Sequence, residues 1–338
     1  MKVLVTGATG FLGAALVCRL LARGETDVRC LVRTGSDRSK LEAIAREATG
    51  STVELFVGSI DSSASAARAI EGVDVVYHLA ASLAGAPADM FLNVVVASKH
   101  LLDAIVAAAR PIKVVLVSSF GVYGTADLAA GAVVDESTPL EPHPERRDIY
   151  SQAKLRPERL FREVQAKHGF PLVVLRPGVI YGRGGSRLSA RVGLDLAGVF
   201  LSLGGSNLLP LTYVESCADA IVIAGQSPVA VGQTYNVVDD DLVTADEYLA
   251  RYRRDVQRLT VVPVPYPALR AVSAAVQAYS RWSKGQLPAV FTPYKTRTMW
   301  KGTRFSNAKL KGLGWRPLVP TTEGLGRAFA FHKAAIGA

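Results

Sequence analysis

Lys2-Val3-Leu4-Val5-Thr6-Gly7-Ala8-Thr9-Gly10-Phe11-Leu12-Gly13 decides how this chain is read. An apolar, β-branched run leads into glycines spaced G-x-x-G-x-x-G and then into Phe11, Leu12, Ala15 and Leu16 at helical period, which predicts a strand, a tight turn and a helix. Glycine lets backbone turn sharply and come close to an anion, while free N–H groups and the positive dipole end of the helix face that anion. Placed between strand and helix, the turn predicts a pyrophosphate site for a dinucleotide.

Working outward, short β-rich runs at Val28–Leu31, Val53–Val57, Val73–His78, Lys113–Ser118 and Leu172–Leu175 alternate with helical patterns near 11–23, 38–48, 62–71, 88–110 and 149–168. That rhythm predicts an α/β fold with a doubly wound parallel sheet, binding ligands beyond the carboxyl ends of its strands. After residue 177 glycine clusters and the segment Val261-Val262-Pro263-Val264-Pro265-Tyr266-Pro267 interrupt the pattern. Loops and short helices are expected there. The expected division is therefore a dinucleotide-binding domain over 1–177 and a substrate-binding region over 178–338, with some segments returning to the first domain.

The 338 residues are 49% hydrophobic, ample for a buried core. A first strand beginning at Lys2 and the lack of an apolar run near the roughly 18 to 20 residues that span a bilayer predict a cytoplasmic protein without a transmembrane segment. Cys18, Cys30 and Cys217 lack metal-ligand spacing, so reduced core thiols and no metal site are expected. The net charge of +10 is uneven: nine basic residues and no acidic one lie between Arg281 and Arg316. A solvated basic face, an anionic substrate and a membrane surface are the alternatives for that stretch; without a nucleic-acid motif, no nucleic-acid partner is expected.

The second predicted strand ends at Arg33. A carboxylate there would bind a ribose 2′-hydroxyl, whereas an arginine pairs with a 2′-phosphate, so Arg33 favours NADP(H) over NAD(H), with Ser36, Arg38 and Lys40 as further donors. The chemical signal is Tyr150-Ser151-Gln152-Ala153-Lys154, preceded by Val117-Ser118-Ser119-Phe120-Gly121-Val122-Tyr123-Gly124. Tyr150 and Lys154 stand i and i+4 on one helix face, which places an ammonium near a phenol. A positive neighbour favours phenolate, and the Ser119 hydroxyl is suited to hold a substrate oxygen beside it.

With these pieces the chain resembles the extended short-chain dehydrogenase/reductases, also called the NAD(P)-dependent epimerase/dehydratase family. Further matches are Tyr77-His78-Leu79-Ala80-Ala81, Asn93, Leu175-Arg176-Pro177-Gly178, Tyr181-Gly182, Tyr213-Val214-Glu215, Tyr235-Asn236-Val237, and Phe305-Ser306-Asn307-Ala308-Lys309 ahead of Leu313-Gly314-Trp315. The resemblance implies a Rossmann domain with Tyr150 as general acid/base, Ser119 on the reacting oxygen, Lys154 on the nicotinamide ribose and Asn93 supporting the site. It implies a dinucleotide surrounded by Gly7, Gly10, Phe11, Leu12, Gly13, Arg33, Ile60, Leu79, Ala80, Ala81, Lys154, Pro177 and Val179. A core-facing Asn93 and an edge-of-sheet Pro177 are the structural alternatives. A homodimer through the helices near 88–110 and 149–168 is implied, although the same apolar faces are equally well buried within a monomer.

Departures from the family pattern bear on the substrate. Phe120-Gly121 stands where sugar-nucleotide dehydratases of the family carry an acidic pair, so a 4,6-dehydration is not expected. Asn207 to Leu211 lacks the arginine that grips a nucleotide diphosphate, and Ser59 replaces the usual Asp facing adenine. Arg33 and the apolar Leu208–Leu211 run resemble the reductase and sterol-dehydrogenase branch, and also sugar epimerases. An NADPH-dependent reductase or dehydrogenase acting at a secondary alcohol or ketone is expected first. A sugar epimerase with retained NAD is the alternative, and a non-catalytic dinucleotide-sensing regulator the rival outside catalysis. Arg183, Arg187 and Arg191 are expected chiefly as a solvated helix face, with phosphate binding as the alternative role.

Overall fold

The computed structural model describes residues 1–79, 87–196, 198–283 and 292–337, with side chains for all of these but 87–93, 281 and 337. The quoted stretch forms strand β1 (Lys2–Thr6), a turn, and helix α1 (Phe11–Ala22). Then follow β2 (Asp27–Val32), α2 (Ser39–Glu47), β3 (Thr52–Val57), α3 (Ser63–Ala69), β4 (Val75–His78), α4 (Pro87–Ala107) and β5 (Lys113–Val117). A short β6 (Val133–Val134) precedes α5 (Ile149–His168), β7 (Leu172–Pro177) and β8 (Val179–Tyr181).

Seven strands make one parallel sheet. Its last member is β12 (Thr234–Val237), which follows β9 (Gly193–Leu196), β10 (Val199–Ser202), β11 (Leu211–Tyr213) and α6 (Val214–Gln226). The order is β12-β7-β5-β4-β1-β2-β3, so the chain reverses direction across the sheet between β1 and β4. Thr6 stands beside Leu31 on one flank and His78 on the other, which brings the ends of β2 and β4 level with the glycine turn.

Strand side chains alternate between two cores. Val3, Val5, Val28 and Cys30 join Leu16, Val17 and Leu20 of α1 and Ile221 of α6 on one face, while Leu4 and Leu31 join Leu101, Ile105 and Phe161 of α4 and α5 on the other. Both faces are covered, which explains why these strands read as continuous apolar runs. Cys18 departs from expectation. Gly13, Leu16, Val17 and Leu20 set the buried stripe of α1, and Cys18 falls outside it, exposed, whereas Cys30 and Cys217 are buried.

The second half is more ordered than its punctuation suggests. After α7 (Ala245–Asp255) comes β13 (Thr260–Pro263), the edge of a three-stranded sheet of order β13-β10-β9. Pro267 then enters the first turn of a 17-residue helix, α8 (Tyr266–Trp282), where a missing N–H costs nothing. The chain ends with α9 (Pro293–Trp300), β14 (Arg304–Phe305) paired with β6, α10 (Ala308–Lys311) and α11 (Thr321–Gly337). A third core of Tyr181, Phe200, Tyr213, Tyr248, Tyr252 and Phe329 ties this half together.

Four members of the basic stretch turn back onto the protein. Lys301 donates to the Leu128 carbonyl, Lys311 pairs with Asp240 at 2.7 Å, Lys309 sits 5.3 Å from the Tyr235 ring and Arg316 donates to the Trp315 carbonyl. Among the described residues no helix is long and apolar enough to cross a membrane.

Asp239 closes the seam between β8 and β11. It is 2% exposed, accepts from the Tyr213 N–H through both oxygens at 3.1 Å, and accepts from the Tyr181 hydroxyl at 3.0 Å. Burial pushes its carboxyl up to about 7; the Tyr213 and Tyr181 donors pull it back, and Asp240 and Asp241 add to the push. The folded chain therefore holds this proton more tightly than the unfolded chain. Its stabilising contribution, full below the ordinary value of 3.8, is lost as pH rises toward 7. In urea unfolding of Asp239→Asn and the parent, the stability of the variant relative to the parent should grow by a few kcal/mol between pH 4 and 8. A difference that stays flat across that range would contradict the assignment.

Candidate active site

The glycine turn is built around close approaches. Gly7 has φ +74°, in the left-handed region, and the Gly10 N–H donates to the Gly7 carbonyl at 3.0 Å. A Cβ at Gly13 would lie 2.1 Å from the Gly7 carbonyl oxygen and 2.7 Å from the Ala8 Cα. The N-cap of α1 is Gly10, with no side-chain cap and no acidic residue in the first turn. Its leading N–H groups and dipole are left for an anion, so the turn fits a pyrophosphate.

A cleft of about 880 Å³ runs from this turn over the strand ends. It is lined by Gly7, Gly10, Phe11, Leu12, Gly13, Arg33, Ile60 and Leu79, and further along by Ser119, Tyr150, Lys154, Pro177 and Val179. The described side chains of the catalytic set and of the dinucleotide set that the family resemblance implies thus meet in one space. Ala80 and Ala81 lie outside the described residues, as does the side chain of Asn93. Ser36 joins Arg33 at the rim, but Arg38 folds back, donating to the Thr34 carbonyl at 3.2 Å, and neither Arg38 nor Lys40 lines the cleft. Past β3, Ser59 stands where an acid was expected and donates to Asp61 at 2.7 Å; both line the cleft.

Tyr150 and Lys154 emerge from the first turns of α5, whose N-cap Asp148 accepts from the Ser151 N–H at 2.9 Å. Burial raises the Tyr150 phenol, a hydrogen bond with the Ser119 hydroxyl lowers it, and the Asp148 carboxylate raises it again. The expected link from Lys154 to the phenol takes another form: the ammonium donates to the Val117 carbonyl at 3.1 Å, and burial pushes Lys154 down to about 8. Lys154 also lowers the buried His78, after burial itself, to about 3. His78, bonded to the Thr6 hydroxyl at 2.8 Å, is thus a neutral strut under the site.

Sequence reasoning missed Glu158, although it continues the i+4 series of Tyr150 and Lys154. It is fully buried and accepts from the Ser118 hydroxyl at 2.5 Å, from Arg176 at 2.5 Å and from Arg162 at 3.0 Å. Burial would raise its carboxyl, but Arg176, Ser118 and Arg162 hold it below the usual range. This network pins the end of β5 to α5 and so fixes Ser119 relative to Tyr150.

Arg183, Arg187 and Arg191 do not share a helix face. Gly182 and Gly184 have φ +150° and +87°, and the segment from 182 to 192 is a run of turns. Arg183 and Arg187 are exposed, whereas Arg191 lines the cleft together with Arg147, Asp148, Ser186, Ser189 and Met299.

Residues 3–237 match the model of the NAD dependent epimerase/dehydratase family. The chain is 27% identical to a 3-beta-hydroxysteroid dehydrogenase of Mycolicibacterium neoaurum, over 98% of this chain and 91% of that one. It is 26% identical to a decarboxylating sterol-4-alpha-carboxylate 3-dehydrogenase of Candida albicans, over 96% and 95%. Among solved structures, UDP-glucuronic acid 4-epimerase from Bacillus cereus in complex with NAD superposes with a TM-score of 0.72 at 20% identity, covering 100% of this chain and 98% of that one. That likeness shows the fold, a doubly wound parallel sheet.

Proposed function

Because the chain belongs to the NAD dependent epimerase/dehydratase family, and is an NAD(P)-dependent oxidoreductase or epimerase, we propose that it works at a secondary alcohol or ketone carbon as an NADPH-dependent reductase or dehydrogenase. The observation that carries this reading is the convergence of Ser119, Tyr150 and Lys154 on the cleft that begins at the glycine turn. The full-length matches named for dehydrogenases at a ring hydroxyl support it over epimerisation.

The turn from Gly7 to Gly13 would hold the pyrophosphate, Arg33 a 2′-phosphate, and Leu79, Pro177 and Val179 the rest of the dinucleotide. When bound, a nicotinamide supplies the hydride acceptor or donor. Ser119 holds the substrate oxygen within reach of the Tyr150 phenol. Tyr150 gives or takes the proton at that oxygen, and Lys154 keeps positive charge next to the end of β5. Phe120 and Gly121 offer no acid or base beside Ser119, which supports a reaction other than 4,6-dehydration.

To test the class, freshly purified protein is denatured and any released dinucleotide identified by chromatography. Little bound cofactor, with NADPH preferred on titration, is the expected result; near-stoichiometric NAD(H) would replace this reading with an epimerase. Arg33 is exposed and its guanidinium makes no hydrogen bond or ion pair among the described residues. Arg33→Ala should weaken NADPH by about 10- to 100-fold, the value of a charge-assisted phosphate contact, and NADH by less than about twofold. Equal losses in fluorescence titrations of the two cofactors would refute the 2′-phosphate role.

A further inference from the structure

Two arginines line the cleft beside Tyr150 with no part in the chemistry above. Arg147, two residues before α5, has a side chain only 5% exposed. Its Nη1 donates to the Tyr123 carbonyl at 3.0 Å and to Glu141 at 2.9 Å, and its Nη2 to the Ser151 hydroxyl at 3.1 Å. Its buried Nε has no hydrogen-bond partner, and Asp148 Oδ2 stands 4.0 Å away. Glu141 is itself buried and accepts from the Tyr294 hydroxyl, so this arginine is fixed in place.

Arg191 comes from the run of turns after β8. Its guanidinium makes no hydrogen bond or ion pair among the described residues. Burial pushes it down to about 10, the Arg147 charge pushes the same way, and Asp148 offsets part of this. Two guanidiniums therefore share one wall: Arg147 is paired with Glu141 at 2.9 Å, whereas Arg191 has no carboxylate partner among the described residues, Asp148 being engaged as the cap of α5. Crowding like charges out of water is costly unless an anion completes the set.

This wall is separate from the 2′-phosphate contact proposed for Arg33. Arg33 follows β2 and Ser119 follows β5, three strand spacings or roughly 14 Å apart across the sheet. An anion held by Arg147 and Arg191 lies on the Tyr150 side. The hydroxyls of Ser186 and Ser189 line the same region. Planar guanidinium donors suit the paired oxygens of a carboxylate or phosphate.

Resting on the reading of the cleft as a dinucleotide-dependent alcohol/ketone site, we propose that Arg147 and Arg191 form an anion subsite for the substrate. The substrate then carries a carboxylate or phosphate group close to its reacting carbon. The subsite selects anionic hydroxy or keto compounds over neutral ones of the same shape.

The test is calorimetric titration of the NADPH-saturated protein with malonate and with inorganic phosphate, at ionic strength fixed by chloride. Saturable binding is expected, at least about tenfold weaker in Arg191→Met and partly restored in Arg191→Lys, with NADPH affinity unchanged in both. The Arg191 side chain has no hydrogen bond to lose among the described residues, so the variants should keep the parent melting temperature. Tighter malonate binding identifies a carboxylate substrate, and tighter phosphate binding a phosphorylated one. No saturable binding by the parent, or equal binding by Arg191→Met, overturns the subsite. Failure to bind NADPH and NADH alike would instead overturn the cofactor reading, which the first titration in the series reports separately.

Discussion

Tyr150→Phe should reduce turnover by about 10²- to 10⁴-fold, the usual worth of a positioned acid/base, while changing dinucleotide affinity by less than about threefold. The expected split follows from where the hydroxyl sits. It meets the Ser119 hydroxyl at the substrate end of the cleft, and nothing in the glycine turn depends on it. The ring stays: its Cε1 lies 3.6 Å from where a Cβ on Gly121 would stand, and Phe keeps that packing. Steady-state rates on a panel of ring alcohols and ketones, with and without an acidic substituent, measure the effect. Because burial and Asp148 both raise the phenol, the parent's oxidation rate should climb with pH above neutrality. A variant with full activity would remove the tyrosine from the chemistry and bring forward a dinucleotide sensor.

Gly13→Ala is expected to abolish measurable dinucleotide binding, a loss of at least about 100-fold, and to lower stability by roughly 3 kcal/mol. The three atoms that a Cβ would strike, the Gly7 oxygen and the Ala8 Cα and oxygen, are all backbone of the turn itself. None can rotate aside, so the turn must open, and an opened turn no longer aims the first N–H groups of α1 at a phosphate. Gly326→Ala is the matching control. That glycine lies in α11 with nothing within 4 Å of an added Cβ, and the change should stabilise by about 0.5–1 kcal/mol. NADH fluorescence and urea unfolding on both variants separate a steric effect at the turn from a general intolerance of glycine replacement.

The parts of this molecule legible in the sequence are those whose geometry is local. Strand, turn and α1 follow one another within about twenty residues, and Tyr150 and Lys154 are bound together by the pitch of a helix. The wall of Arg147 and Arg191 joins segments 44 residues apart, and only the fold shows that the turns after β8 bring them together. The helix expected there could not form with Gly182 and Gly184 in left-handed conformations. Glu158 carried a usable signal, since 150, 154 and 158 fall on one face, but its partner Arg176 lies on β7 and Ser118 just past β5. Thr234–Val237 is too short to announce that it completes the main sheet, and the prolines near 263 to 267 read as interruption because they start a helix rather than end one.

The Glu158 network also has a consequence for motion. One carboxylate clamps the Ser118 end of β5, the Arg176 end of β7 and the middle of α5, so the Tyr150 phenol and its Ser119 partner belong to a single rigid body. Among the described residues, breathing of the cleft is then expected in the opposite wall, in the turns that carry Ser186 to Arg191. In hydrogen exchange, the amides of β5 and of α5 beyond its first turn should rank with the slowest in the molecule. Those of 183–191 should open independently and faster, making substrate entry a local event that leaves the acid/base geometry undisturbed.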